Sequence, residues 1–236
     1  MIFGVNPTLE ALRAGHVTEI QASETAYRRA TSLFELAARS KVPVRRVAVS
    51  ELNRISGHGA HQGVVATVNR HTKYRVDELL DWETGPLLVV LDGVEDPRNV
   101  GAIARVVDAA GAGGIVLQTR RAAATTGAAV KASAGAISHV RLAPVVNISR
   151  ALEGLKADGV WIVGLDETGR DSLFDLDLTV PTAFVLGAED KGLRRLVQER
   201  CDWLASLPMR GKIASLNVSV AAGIALFEAV RQRRRR

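Results

Sequence analysis

From residue 86 onward the chain alternates short, wholly apolar runs with longer stretches in which apolar residues recur every third or fourth position. "PLLVVLD", "GIVLQ", "WIVGLD", "AFVLG" and "WLASLPM" are the short runs, and each reads as a strand buried on both faces. "NVGAIARVVDAAG", between the first two, has the helical period, so this part predicts a parallel sheet covered by helices, an α/β architecture. The segment from Val218 to Val230 is apolar almost all round, with Glu228 its only charge, and predicts a helix buried more fully than a surface helix of one domain.

Residues 1–70 show a smaller version of the same alternation. "NPTLEALRAG" predicts a helix opened by Asn6, with Pro7 at its first position and Gly15 as its stop. "VTEIQAS", "VPVRRVAVS" and "QGVVATV" predict strands, and Thr25 to Ser40 one amphipathic helix. "HTKYRVDELLDWETGP" is polar without a sustained period. The expected organisation is therefore a small α/β domain over 1–70, a linker over 71–85 and a larger domain over 86–236.

Charge adds one asymmetry to this picture. The net charge is +6, but residues 1–71 hold nine Lys/Arg against five Asp/Glu, whereas 72–230 hold seventeen against twenty. The tail "RQRRRR" carries five arginines. A basic N-terminal part and a basic tail around a near-neutral body point to a polyanionic partner such as nucleic acid, or else to a solvated surface and a frayed end. The single Cys201 excludes a disulfide framework and a thiolate metal site. No stretch has the length of a membrane span or the form of a secretion signal, so a cytoplasmic protein without membrane contact is expected.

The common nucleotide and hydrolase signatures are missing, including the phosphate-binding lysine loop, HExxH and GxSxG. "GAGG" at 111–114 follows a helix rather than a strand and reads as a helix end and tight turn. His58 and His61 are flanked by glycines and make a poor metal pair, and no metal is expected. Three segments remain. In "LDGVEDPRNVGAIARVVDAAG" a strand opens into a helix near Asn99, which is either its cap or a site residue, and Arg105 lies ~9 Å further along the helix. Arg105 could simply pair with Asp108. "FVLGAEDKGLRR" ends a strand at Gly187, where a flat ligand could approach the backbone, and carries Glu189 in the following turn. "RGKIASLNVSVAAGIALFEA" places Ser215, Asn217 and Ser219 in alternation before the apolar helix, although a helix cap requires only one of them.

In this order and spacing, the three segments resemble the three motifs of the SpoU (TrmH-like) family of RNA ribose 2'-O-methyltransferases in the SPOUT superfamily. The resemblance covers residues 86–232, and "FGVNPTLEALRAG" with "HQGVVATV" is similar to the substrate-binding domain of the RlmB-type branch, which resembles a ribosomal-protein RNA-binding fold. It implies a SPOUT domain with a trefoil knot, S-adenosyl-L-methionine as cofactor, a guanosine ribose of 23S rRNA as substrate and a homodimer formed through the last helix. It further implies that Gly187, Leu207 and Leu216 line the cofactor site, that Asn99, Arg105, Glu189, Ser215 and Asn217 are catalytic, and that Arg120, Arg121 and Lys131 meet RNA phosphates. Ala122 stands where many relatives carry serine, which removes a hydroxyl from that RNA-facing segment.

The family places Arg105 at the ribose hydroxyl. An arginine side chain is almost always protonated, with a pKa above ~12, so it is an awkward base. It either loses its proton in an unusual environment or acts as a cation that holds a phosphate and steadies the forming alkoxide, and the second is physically the easier. Glu189 would then orient Arg105 through a bidentate pair. The alternatives are a tRNA or antibiotic-resistance methyltransferase of the same family, and a catalytically silent RNA-binding ribosome assembly factor.

Overall fold

In the computed structural model the described residues are all except 58, 69–72, 120–132, 134–135, 214 and 235–236. The strands form two separate sheets. The first contains β1 (Ile2–Phe3), β2 (Val17–Ala22), β3 (Val44–Arg46) and β4 (Val64–Val68) in the order β1-β4-β2-β3. Its pairings are antiparallel except for β2 with β3. Helices α1 (Val5–Arg13), α2 (Glu24–Arg29), α3 (Thr31–Arg39) and α4 (Val49–Ser56) complete this layer.

Three expectations for this region are corrected. Helix α1 starts at Val5, not after Asn6, because Gly4 takes φ 98° as its cap and the Gln62 side-chain oxygen accepts the Val5 N–H at 3.3 Å. Pro7 is thus its third residue. The single helix over Thr25–Ser40 is two helices meeting at Ala30, whose φ/ψ of −98°/52° leaves the helical region. The strand expected over residues 42–50 is three residues long, since it is an edge strand matched only to Ile20–Ala22 of β2, and Val49 already belongs to α4.

The second sheet contains β5 (Leu87–Asp92), β6 (Gly114–Gln118), β7 (Leu142–Val145), β8 (Trp161–Leu165), β9 (Asp171–Ser172), β10 (Thr182–Gly187) and β11 (Trp203–Ser206). Their order is β7-β6-β5-β10-β8-β11-β9, and every neighbouring pair is parallel. Strand β10 lies at the centre and runs in register with β5 from Thr182 beside Leu87 to Gly187 beside Asp92. Helices α5 (Pro97–Ala110) and α8 (Val218–Arg233) cover one face, with Val89, Leu91, Phe184, Ile103 and Leu226 in that core. Helix α6 (Ile148–Ala157) and α7 (Arg195–Gln198) cover the other, with Leu88, Val90, Val185, Leu152 and Val197. Alternate residues of the same strands serve the two cores, which is why the runs are apolar throughout rather than alternating.

Residues 73–80 lie against this sheet. The Tyr74 N–H donates to the Leu142 carbonyl at 3.0 Å, and Leu79 is fully buried. A side chain at Gly113 would collide with the Leu79 carbonyl, so that glycine is required by the close approach of the two segments. Gly111 ends α5 in the left-handed conformation, φ 65°, and "GAGG" is a turn. Between the two layers the His16 Nε2–H donates to the Ser138 carbonyl at 2.9 Å, and His139 Nε2 approaches a Glu10 carboxylate oxygen at 3.3 Å.

Helix α8 buries Val218, Ala222, Ala225, Leu226 and Ala229, but leaves Val220 49% and Phe227 50% exposed. The start of the basic tail is part of the fold. Arg231 pairs with Glu228 at 2.7 Å, and the Arg233 guanidinium donates to the carbonyls of Gly85, Pro86, Leu178 and Val180 at 2.7 to 3.1 Å. Burial pushes the Arg233 pKa below its ordinary value. Among the described residues no helix is long and apolar enough to cross a membrane.

Candidate functional site

The carboxyl ends of parallel strands are the usual ligand-binding edge of such a sheet, because the chain leaves them in loops whose backbone groups are not used in pairing. Here the ends of β8, β10 and β11 surround a cavity of about 600 Å³. Gly187, Leu207 and Leu216 lie on its wall together with Leu165, Leu186 and Met209, and Ser215, Asn217 and Glu189 line it as well. The volume falls in the ~300–1,000 Å³ range of small-molecule sites, and the mixture of apolar side chains, strand-end backbone and carboxylates suits a flat, partly cationic ligand.

The turn that follows Gly187 also requires a glycine there. A side chain there would collide with the carbonyl of Gly192, because residues 188–192 fold back tightly and the Gly192 N–H donates to the Ala188 carbonyl at 2.8 Å. The base of this turn is held by Asp92, the last residue of β5, which is 1% exposed. Its carboxylate accepts the Arg194 backbone N–H at 2.8 Å and Nε–H at 2.6 Å, and pairs with Nη2 at 2.5 Å.

Glu189 projects from the turn and joins the other two segments. Its Oε1 accepts from Asn99 Nδ2 at 3.0 Å and from Asn217 Nδ2 at 2.7 Å, and Asn217 Nδ2 also donates to Asn99 Oδ1 at 3.0 Å. Asn99 is free for this because Asp96 caps α5, accepting the Arg98 N–H at 2.8 Å; that hydrogen bond holds the Asp96 carboxyl below the usual carboxylate range. Asn217 serves as both cap and site residue: its Oδ1 accepts the N–H and the hydroxyl of Ser219 at 2.9 and 2.5 Å. Ser219 therefore braces the cap, and Ser215 is exposed at the cavity rim.

The expected Glu189–Arg105 pair does not form. Arg105 is exposed on α5, and among the described residues it makes no ion pair with Glu189 or with Asp108. Six residues at the helical repeat turn it about 120° away from Asn99, so the two share a helix but not a face. Arg120, Arg121 and Lys131 lie outside the described residues.

Among the described residues no group of three His, Cys, Asp or Glu could hold a metal. His61 is buried between Asn53 Oδ1, to which Nε2–H donates at 2.8 Å, and the Gly63 N–H, which donates to Nδ1 at 2.9 Å. Both ring nitrogens are thus engaged within the fold, which gives His61 a structural role. Burial pushes the Cys201 thiol up to about 12, which leaves it un-ionised and unreactive at neutral pH. Asp92 and Arg194 escaped the sequence reading, although a carboxylate closing the apolar run "PLLVVLD" is a detectable signal.

Comparison with known proteins adds independent findings. Residues 86–227 match the model of the SpoU rRNA Methylase family, and residues 1–74 match that described as RNA 2'-O ribose methyltransferase substrate binding. The chain is 46% identical over 210 residues to the 23S rRNA (guanosine-2'-O-)-methyltransferase RlmB of Burkholderia sp, covering 88% of this chain and 85% of that one. It is 42% identical over 240 residues to the protein of the same name from Pseudomonas putida, covering 98% and 96%. Among solved structures, the SpoU methyltransferase AviRb from Streptomyces viridochromogenes in complex with the cofactor AdoMet superposes with a TM-score of 0.84 at 29% identity, covering 98% of this chain and 89% of that one.

Proposed function

Because this chain belongs to the SpoU rRNA methylase family, we propose that it transfers a methyl group from S-adenosylmethionine to a ribose 2'-hydroxyl of a guanosine in 23S rRNA. It is a methyltransferase, and its cofactor is S-adenosylmethionine. The observation that carries the site reading is the hydrogen-bonded triangle of Asn99, Glu189 and Asn217, which ties three distant segments together at the rim of the cavity.

The cavity fits the cofactor by its donor set. Leu165, Leu186, Leu207 and Leu216 offer an apolar wall for a purine, while Asp166 and Glu189 bring negative charge to a ligand with a cationic sulfur and an ammonium group. Bound S-adenosylmethionine supplies the electrophilic methyl group. Glu189, Asn99 and Asn217 orient one another so that the ribose enters a fixed geometry, and the Glu189 Oε2 makes no hydrogen bond among the described residues. Arg105 acts as a cation for a substrate phosphate and the forming alkoxide, which agrees with its exposure. Arg120, Arg121 and Lys131 add phosphate contacts in this reading.

The same reading includes a homodimer, the family's knot and a place in the cytoplasm beside the rRNA. Val220 and Phe227 share a face of α8 and stay exposed, leaving apolar surface for a second copy.

A labelled-methyl assay with 23S rRNA, tRNA and no RNA tests the activity, run on the wild type and on Arg105→Ala. Ribose methylation of 23S rRNA, lost in the variant, is expected. Transfer to tRNA alone would move the chain to another branch of the family, and cofactor binding without transfer to any RNA would make it a silent binder.

A further inference from the structure

Asp166 directly follows β8 and lines the cavity, and its hydrogen bonds say more about it than its charge alone. Its backbone N–H donates to the Ala205 carbonyl at 3.0 Å, which fixes the start of the loop. One carboxylate oxygen, Oδ1, is occupied by the Thr168 N–H at 2.9 Å and its hydroxyl at 2.5 Å. The other, Oδ2, receives only the Gln198 side-chain amide at 3.3 Å, a long bond from a group that also donates to the Leu193 carbonyl at 3.2 Å. A carboxylate has about four acceptor positions, so Oδ2 retains capacity for another donor.

The space beside that oxygen belongs to the cavity. Gly192 lines it at φ 61°, and a side-chain carbon built on Gly192 would stand 3.5 Å from Oδ2. A glycine therefore keeps open the room beside this incompletely satisfied carboxylate oxygen. Leu165 and Leu207 flank the same end of the cavity, on the β8 and β11 side of β10. Glu189 is tied instead to Asn99 on α5 and Asn217 before α8. The reacting sulfur must sit toward Glu189 and its partners. The Asp166 end of the cavity offers apolar side chains that can pack a base and an acceptor that can meet neighbouring hydroxyls.

We propose that Asp166 accepts a hydrogen bond from the ribose diol of the bound cofactor, an acidic strand-end residue reading sugar hydroxyls. This rests on the assignment of the cavity to S-adenosylmethionine. The alternative donors on the same molecule are its ammonium group and its adenine amine.

Calorimetric titration of the full chain distinguishes these. The probes are S-adenosylhomocysteine, 5'-methylthioadenosine, which lacks the amino-acid arm, and the 2',3'-dideoxy form of the latter. The proteins are the wild type and Asp166→Asn, which keeps an oxygen for the Thr168 turn. Wild type should prefer the diol over the dideoxy probe by about 10-fold or more, as expected for a hydrogen bond to a charged acceptor. Asp166→Asn should lose that preference and weaken the first two probes alike. Equal binding of diol and dideoxy probes by wild type overturns the proposal even if the variant does not fold. So does a loss confined to S-adenosylhomocysteine, which would point to the ammonium group, or a preference unchanged in a folded variant. Failure of wild type to bind any probe removes the cofactor assignment as well, and is a separate result.

Discussion

Asn217 Nδ2 donates to Glu189 Oε1 at 2.7 Å while Asn217 Oδ1 closes the first turn of the last helix. The proposed site and the helix cap therefore share one side chain. Asn217→Ala should lose about 1–2 kcal/mol of stability through the cap and, beyond that, at least ~10²-fold in methyl transfer through misplacement of the site. Ser219→Ala should cost less on both counts. Denaturant titration and single-turnover transfer on the two variants separate the cap from the site.

Arg105 is exposed and has no ion pair among the described residues, so its removal should leave the fold within ~0.5 kcal/mol of wild type, as for other unpaired surface positions. It does not line the cavity, and affinity for S-adenosylhomocysteine should be unchanged. Transfer to RNA should fall sharply. A variant that lost cofactor binding instead would contradict this placement.

Arg233 satisfies four carbonyls at the entry side of the sheet. Arg233→Ala leaves the Gly85 and Leu178 carbonyls without their donor, whereas Pro86 and Val180 keep the N–H and hydroxyl of Thr182, and a cost of ~1–3 kcal/mol is expected from the groups left unpaired. Arg233→Lys recovers little of it, because one ammonium cannot reach four acceptors at once. Thermal unfolding of the two variants checks both statements.

The Cys201 thiol, pushed up to about 12 by burial, stays neutral in the folded protein where the unfolded chain would ionise near the ordinary value of 9.0. A raised acid pKa in the folded state means that stability is level below pH 9 and declines as pH rises from there toward 12, since deprotonation then favours the unfolded chain. At pH 8 native protein should react with iodoacetamide at least ~10²-fold more slowly than urea-unfolded protein. A comparable rate would show that the side chain is accessible.

Val220 and Phe227 present an apolar stripe on α8. In the dimeric reading, Phe227→Asp converts dimer to monomer with little change in the circular dichroism of the chain, because the side chain is half exposed in the single copy. Sedimentation at micromolar concentration measures it. A wild-type protein that sediments as a monomer would end that reading directly.

The central strands were legible because burial on both faces leaves an unbroken apolar run, and Val89, Val90, Leu91 and Phe184 are all in the two cores. Asn99, Glu189 and Asn217 were legible as polar residues at strand ends and helix starts, and the structure brings all three together. Spacing gave the distance of Arg105 along α5 but not its rotation around the axis, so the pairing with Glu189 was misread. The break at Ala30 left no mark, since no glycine or proline announces it. Neither did the service of Arg233 inside the fold, because a run of arginines reads as solvated charge whatever one of them contacts.

Arg233 reaches carbonyls at Gly85 and Pro86, 148 and 147 residues earlier in the chain. Strand β5 is among the first parts of its sheet to be synthesised, yet the Gly85 carbonyl at its entry waits for a donor from the last turn of α8. On a translating ribosome the two ends of this domain cannot be joined until that turn has left the exit tunnel. A chain cut before residue 233 lacks that donor, and its sheet should pair without being sealed at the Gly85 carbonyl.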